Sequence, residues 1–162
     1  MSYAVLLLGF VTAQRLGELW LARRNTRRLL AKGAYEVAAG HYWLIVALHA
    51  AWLLGLWWLG HDRPVEPLWL GVYALLQVFR GWILASLGER WTTRIIVIDE
   101  PLVRRGPYRF LRHPNYLLVA AEIAVLPLAL GLPLYALVFS GLNAAALAVR
   151  IRAEDRALAR LR

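Results

Sequence analysis

The chain has 162 residues, 60% of them hydrophobic and 18% charged, and a formal net charge of +9. Soluble domains carry about a quarter charged residues, so this composition excludes an ordinary water-soluble globule and points to an integral membrane protein. The sequence contains no cysteine, which excludes disulfide and thiolate chemistry. The positive charge falls in blocks beside apolar runs, as membrane topology requires, so it argues for a membrane and against a nucleic-acid partner.

Tyr3 to Ala22 forms the first candidate span. It lacks a basic leader and carries Arg15 and Glu18 inside it, so it reads as a retained span and not as a signal peptide. Gln14, Arg15 and Glu18 share one helical face there. A basic block follows, Arg23, Arg24, Arg27, Arg28 and Lys32. Tyr42 to Gly60 is the second span, with His49 alone among apolar residues. A helix–helix hydrogen bond is the simpler expectation for that histidine than a ligand role. Leu68 to Leu87 is the third span, with Gln77 and Arg80 on one face. Trp91 to Ile98 is β-branched and amphipathic, and reads either as an interfacial strand or as a surface helix.

Next comes a cationic, aromatic stretch running from Arg104 to Tyr116, RRGPYRFLRHPNY. Gly106, Pro107 and Pro114 prevent a long helix from crossing it. The apolar run from Tyr116 to Val149 is about 34 residues long, which as one helix would reach ~51 Å, far beyond the ~30 Å bilayer core. Gly131-Leu132-Pro133 supplies a turn, so the run predicts two helices, with a kink at Pro127. Glu122 and Asn143 lie within them.

The expected fold is therefore an all-α integral membrane protein of five transmembrane helices, ending in a helical hairpin. A first part, residues 1–87, carries three spans, and a second part, residues 88–162, carries the hairpin and the polar segments. Alternate loops are basic, which predicts the N-terminus outside, the C-terminus in the cytosol and a place in the inner membrane. The tail Arg150-Ile151-Arg152-Ala153-Glu154-Asp155 then shares the cytosolic side with the RRGPY…RHPNY stretch. A charge in hydrocarbon costs about 3 kcal/mol on insertion scales, so the embedded Arg15, Glu18, Arg80 and Glu122 should face inward. Two readings fit them: interhelical ion pairs such as Arg15–Glu18 and Arg80–Glu122, or the head-group end of an apolar tunnel between spans one, three and four. The tryptophans, mostly near span ends, read as an interfacial belt.

The block G-P-Y…R-H-P-N-Y, followed by an apolar hairpin and then R-x-x-x-E-D near the C-terminus, resembles the isoprenylcysteine carboxyl methyltransferase family over residues 88–158. The likeness is closest to small bacterial members, some of which O-methylate long-chain phenols and pyrones. The resemblance implies an S-adenosylmethionine-dependent membrane O-methyltransferase with a lipophilic acceptor, residues 88–162 being its methyltransferase core. It implies that Tyr108, His113, Pro114, Asn115 and Tyr116 contact the cofactor, that the backbone of Pro101, Leu102 and Val103 lies along it, and that Glu154 binds it. Arg150 matches the arginine that serves the acceptor, which makes Arg150 and Glu154 the expected catalytic pair. Asp155 stands where a second glutamate is usual, and Thr93 falls near a cofactor-binding glutamine of eukaryotic members.

The chemistry agrees with these positions. Arg112 and His113 suit a cofactor carboxylate, and Glu154 suits its ammonium or ribose. Tyr108 and Tyr116 offer aromatic faces to adenine or the sulfonium. Arg15, Glu18 and Arg80 are expected on the substrate side with Arg150. His41, His49, His61 and His113 lack the spacing of a metal site. The other readings are a nicotinamide-dependent membrane reductase and a non-catalytic membrane subunit.

Overall fold

The structure, a computed structural model, describes residues 2–159. Arg160 and Arg162 of the basic tail lie outside the described residues. The chain is mostly helical, with five α-helices in chain order. Helix α1, Tyr3–Ala31, is capped by Ser2, whose hydroxyl accepts from the Val5 amide at 3.2 Å and donates to the His61 carbonyl at 2.7 Å. It runs nine residues beyond the predicted Ala22, because no breaker intervenes before Gly33, whose φ is +90°. The basic block is thus helical.

Helix α2, Tyr42–Gly60, has the predicted bounds, and α3 spans Pro67–Leu87. Helices α4, Pro114–Ala129, and α5, Pro133–Leu158, form the predicted hairpin, turning at Gly131, where φ is +65°. Each of α3, α4 and α5 begins on a proline, the position where its missing N–H costs nothing. Helices α1, α2 and α5, and α3 with its trailing turn, are long and apolar enough to cross a membrane. The shorter α4, at 16 residues, reaches only ~24 Å.

The all-α expectation needs correction. Strand β1, Tyr35–Val37, pairs antiparallel with β2, Ile95–Val97, with Glu36 opposite Ile96. The three β-branched residues of β2 suit a pleated edge, and Ile95 and Val97 are buried on one side of it. Arg94 clamps the pair by donating to both oxygens of Glu36 at 2.9 Å. Of the two readings of Trp91 to Ile98, the strand is the one realised, over its last part.

Helix α4 packs between α3 and α5, and its buried face (Leu118, Ile123, Leu126) anchors the core. Leu8 and Val11 of α1, Trp52 and Leu56 of α2 and Tyr73 of α3 close over it. Tyr135 donates to the Trp52 carbonyl at 2.8 Å, an approach that Gly55 permits, since a Cβ there would lie 2.2 Å from the Tyr135 hydroxyl. Large apolar side chains such as Phe10, Leu54, Trp58, Leu75 and Leu137 are exposed, the surface expected of a bundle covered by lipid. Inside lie Asn25, Arg80, Glu122, Asn143 and Arg150.

Candidate active site

The end of the bundle that carries β2 and the RHPNY segment holds a cavity of about 590 Å³. It is lined by Leu102, Val103, Tyr108, Arg112, His113, Asn115, Tyr116, Arg150 and Glu154, among others. The sequence-predicted residues therefore converge, from the β2–α4 connection, the start of α4 and the end of α5. Pro101 and Pro114, expected at the cofactor, do not line the cavity. The Pro101 carbonyl accepts from Arg90, which also pairs with Glu100, and buried Pro114 opens α4. The turn that presents Tyr108, Gly106–Arg109, is fixed from α3: Arg105 donates to the Ser86 carbonyl at 2.8 Å, and Gly106, with φ +58°, sits where a Cβ would lie 2.0 Å from the Ser86 hydroxyl.

Tyr116 is the hub. Its hydroxyl donates to Glu154 and accepts from Arg150 Nε at 2.8 Å. Arg150 Nη2 donates to the Thr93 carbonyl at 2.6 Å, which ties α5 to the segment before β2. Thr93 thus contributes through its backbone. Its hydroxyl sits 3.0 Å from the Tyr42 hydroxyl. His113 stacks on the Tyr116 ring at 5.4 Å and holds Asp155 at 3.1 Å through Nε2, while Nδ1 lies 4.0 Å from Glu154. Asp155, whose role the sequence left open, therefore fixes the imidazole beside Glu154. Burial pushes the Tyr108 hydroxyl well above the usual phenol range, and the Glu154 carboxylate adds to the effect, so Tyr108 stays a neutral donor.

A second cavity of about 310 Å³ opens on the side of the bundle between α1 and α2. Leu16, Leu19, Ile45, Val46, Leu53 and Val119 line it. Leu16, Leu19 and Val46 are exposed, so the cavity is open toward lipid. Trp91, Thr92, Asn115, Tyr116 and Arg150 border both cavities. By its position near a span end, Trp91 reads only as part of the interfacial belt. It is 4% exposed, its indole N–H points at Asn115 at 3.4 Å, and its carbonyl accepts from buried Asn25 at 2.9 Å. Its proximity to a helix end matched an interfacial aromatic; only the pairing with Asn25 and Asn115 distinguishes it.

Arg15, Glu18 and Arg80 line this second cavity. They also form the ion pairs of the alternative reading. Glu122 accepts from Arg15 at 2.6 Å, from Gln77 at 2.9 Å and from Arg80, while Glu18 accepts from Arg15 at 2.8 Å and Arg80 at 2.7 Å. Gln14 joins Gln77 at 2.7 Å. The same residues are thus both a buried network and a cavity wall. The cavity takes its lining from α2 as well as from α1, Arg80 of α3 and Val119 of α4. His49 also departs from expectation. It bonds within its own helix, Nδ1 lying 2.8 Å from the Ile45 carbonyl, and lines the same cavity.

Residues 69–160 match the isoprenylcysteine carboxyl methyltransferase family. The chain is 38% identical over 159 residues to the uncharacterized protein YpbQ of Bacillus subtilis, covering 94% of this chain and 95% of that one. It is 26% identical over 168 residues to an uncharacterized protein of Haemophilus influenzae, covering 93% and 92% of the two chains. No solved structure gives a significant match. The family match takes in α3 through the Glu154 segment, where both cavities meet, and the chain belongs to the isoprenylcysteine carboxyl methyltransferase family, a family of membrane methyltransferases.

Proposed function

We propose that the protein is an integral-membrane, S-adenosylmethionine-dependent O-methyltransferase. Its acceptor is a lipid with an acidic hydroxyl or carboxyl head, a long-chain phenol or pyrone being the best fit. The observation that carries this reading is the shared wall: a cavity lined by both charged and apolar side chains and a lipid-open, largely apolar one meet at Trp91, Thr92, Asn115, Tyr116 and Arg150. A polar methyl donor and an apolar acceptor need such a meeting point. All five α-helices span the inner membrane, with the RHPNY segment on the cytosolic side.

The larger cavity fits the proposed cofactor in volume and in donor set. Glu154 faces a cationic amine, Arg112 a carboxylate, and Tyr108 and Tyr116 offer aromatic faces. When bound, S-adenosylmethionine supplies an electrophilic methyl group for in-line displacement, which needs alignment more than acid–base help. The chain supplies that alignment. Tyr116 and the Thr93 carbonyl hold the Arg150 guanidinium on the shared wall, where it favours an ionised acceptor oxygen. Leu16, Val46 and Leu53 receive the tail, and Arg15, Glu18 and Arg80 border the polar end of its groove.

Calorimetry of the purified protein with S-adenosylhomocysteine tests the reading. Micromolar binding that is lost in Glu154→Ala supports it, as does transfer of labelled methyl to an alkylphenol or alkylpyrone. Binding of a reduced nicotinamide in place of S-adenosylhomocysteine overturns it.

A further inference from the structure

His49 is a titratable group in the apolar cavity that the reading above leaves unused. Its Nδ1 lies 2.8 Å from the Ile45 carbonyl oxygen. A carbonyl only accepts, so Nδ1 carries the hydrogen, and in the neutral ring Nε2 presents a lone pair. Among the described residues Nε2 makes no hydrogen bond. Arg15 of α1 and Arg150 of α5 line the same cavity as this ring.

The ring is also near the shared wall. The Ile45 carbonyl that the ring holds belongs to a residue three positions, ~4.5 Å of helix rise, from Tyr42. The Tyr42 hydroxyl touches the Thr93 hydroxyl at 3.0 Å, and Arg150 holds the Thr93 carbonyl at 2.6 Å. Arg150 and His49 both line the apolar cavity. An oxyanion is stabilised by Arg150, but nothing on Arg150 takes up a proton.

We propose that His49 Nε2 is the proton acceptor for a hydroxyl-bearing lipid whose head lies at Arg150. This rests on the methyltransferase reading and narrows it, because a carboxylate acceptor arrives ionised and needs no base, whereas a phenol or enol does. In the step, the acceptor O–H bond breaks and its proton passes to Nε2. The oxygen forms its bond to the methyl carbon, and the carbon–sulfur electron pair returns to sulfur, cancelling the sulfonium charge. The imidazolium gives its proton to water once the product has left.

The test compares wild type with His49→Asn, whose amide keeps the bond to the Ile45 carbonyl but has no group at the Nε2 position, and with His49→Gln. The probes are a pentadecyl phenol, its ring-nitrated and therefore largely ionised analogue, and a fatty acid of equal length, with S-adenosylhomocysteine binding as the check of fold. The expected result is a loss of about 10²-fold in kcat for the phenol in both variants, under threefold for the nitrated phenol, and unchanged S-adenosylhomocysteine affinity. Equal losses on the ionised and neutral phenols, or none on either, overturn the assignment of His49. Wild-type methylation of the fatty acid but not the phenol also overturns it and leaves the methyltransferase reading standing. Absence of both binding and methyl transfer in the wild type removes both.

Discussion

Tyr116 concentrates the chemistry of the site in one hydroxyl. Its ring stacks on His113, while its oxygen joins the Glu154 carboxylate to the Arg150 guanidinium. Tyr116→Phe removes the oxygen and keeps the ring. Hydrogen bonds to charged groups contribute about 1.5–3 kcal/mol, so the expected outcome is a 10- to 100-fold fall in kcat/KM for methyl transfer. Affinity for S-adenosylhomocysteine, read by calorimetry, should fall less, because the His113 stack survives. An unchanged kcat/KM would remove Tyr116 from the alignment of Arg150. The RHPNY letters mark Tyr116 in the sequence, but not this bridging role, which exists only when the end of α5 folds back on the start of α4.

At the scale of elements, the turn Gly106–Arg109 depends on one backbone position. Gly106 combines a φ of +58° with a Cβ position only 2.0 Å from the Ser86 hydroxyl, so Gly106→Ala carries both a conformational and a steric penalty. We expect a destabilisation of about 1–3 kcal/mol, read as a lower midpoint of thermal unfolding in detergent, together with weaker cofactor binding as Tyr108 shifts. The same letters show what was legible beforehand. Gly106, Pro107, Pro114, Gly131 and Pro133 announce breaks by local chemistry alone, and the helices begin and end where they fall. Pairing of β1 with β2 was not legible, because each strand is three residues long and their partnership depends on Glu36 and Arg94, far apart in sequence. The extension of α1 was missed because hydropathy ends at the basic block while helix propensity continues through its arginines. For His49, a lone polar residue in a span suggests a partner on another helix, whereas the Ile45 carbonyl one turn back takes only its Nδ1 hydrogen.

The whole molecule is organised around the charges that α1, α3 and α4 bury together. Glu122 is 2% exposed and receives both Arg15 and Arg80. Removing one member of a buried pair costs about 3–5 kcal/mol, because the uncompensated partner remains in a medium of low polarity. Glu122→Leu should therefore unfold at markedly lower temperature, and Arg80→Leu combined with Glu122→Leu should recover part of the loss. A double variant worse than the sum of the singles would mean that the network is not electrostatically balanced.

This balance also bears on how the chain crosses the bilayer. At ~24 Å, α4 is shorter than the ~30 Å hydrocarbon core, which by itself suggests a re-entrant segment. Yet α4 is the innermost helix, with α3 and α5 on either side, so its ends meet protein where an outer helix would meet lipid. A short central helix can cross without forcing the bilayer to thin around it, and in a five-span chain the turn at Gly131 emerges on the face opposite the RHPNY segment. The chain has no cysteine of its own, so single substitutions report cleanly. Arg63→Cys and Leu132→Cys should react with a membrane-impermeant maleimide in intact cells, and Arg104→Cys only after permeabilisation, as the positive-inside rule requires. If the Leu132 position labels together with the Arg104 position, α4 re-enters on its own side. Arg150 could then no longer reach Tyr116 from a helix that crosses the membrane. The five-span arrangement and the shared cavity wall therefore stand or fall on the same labelling pattern.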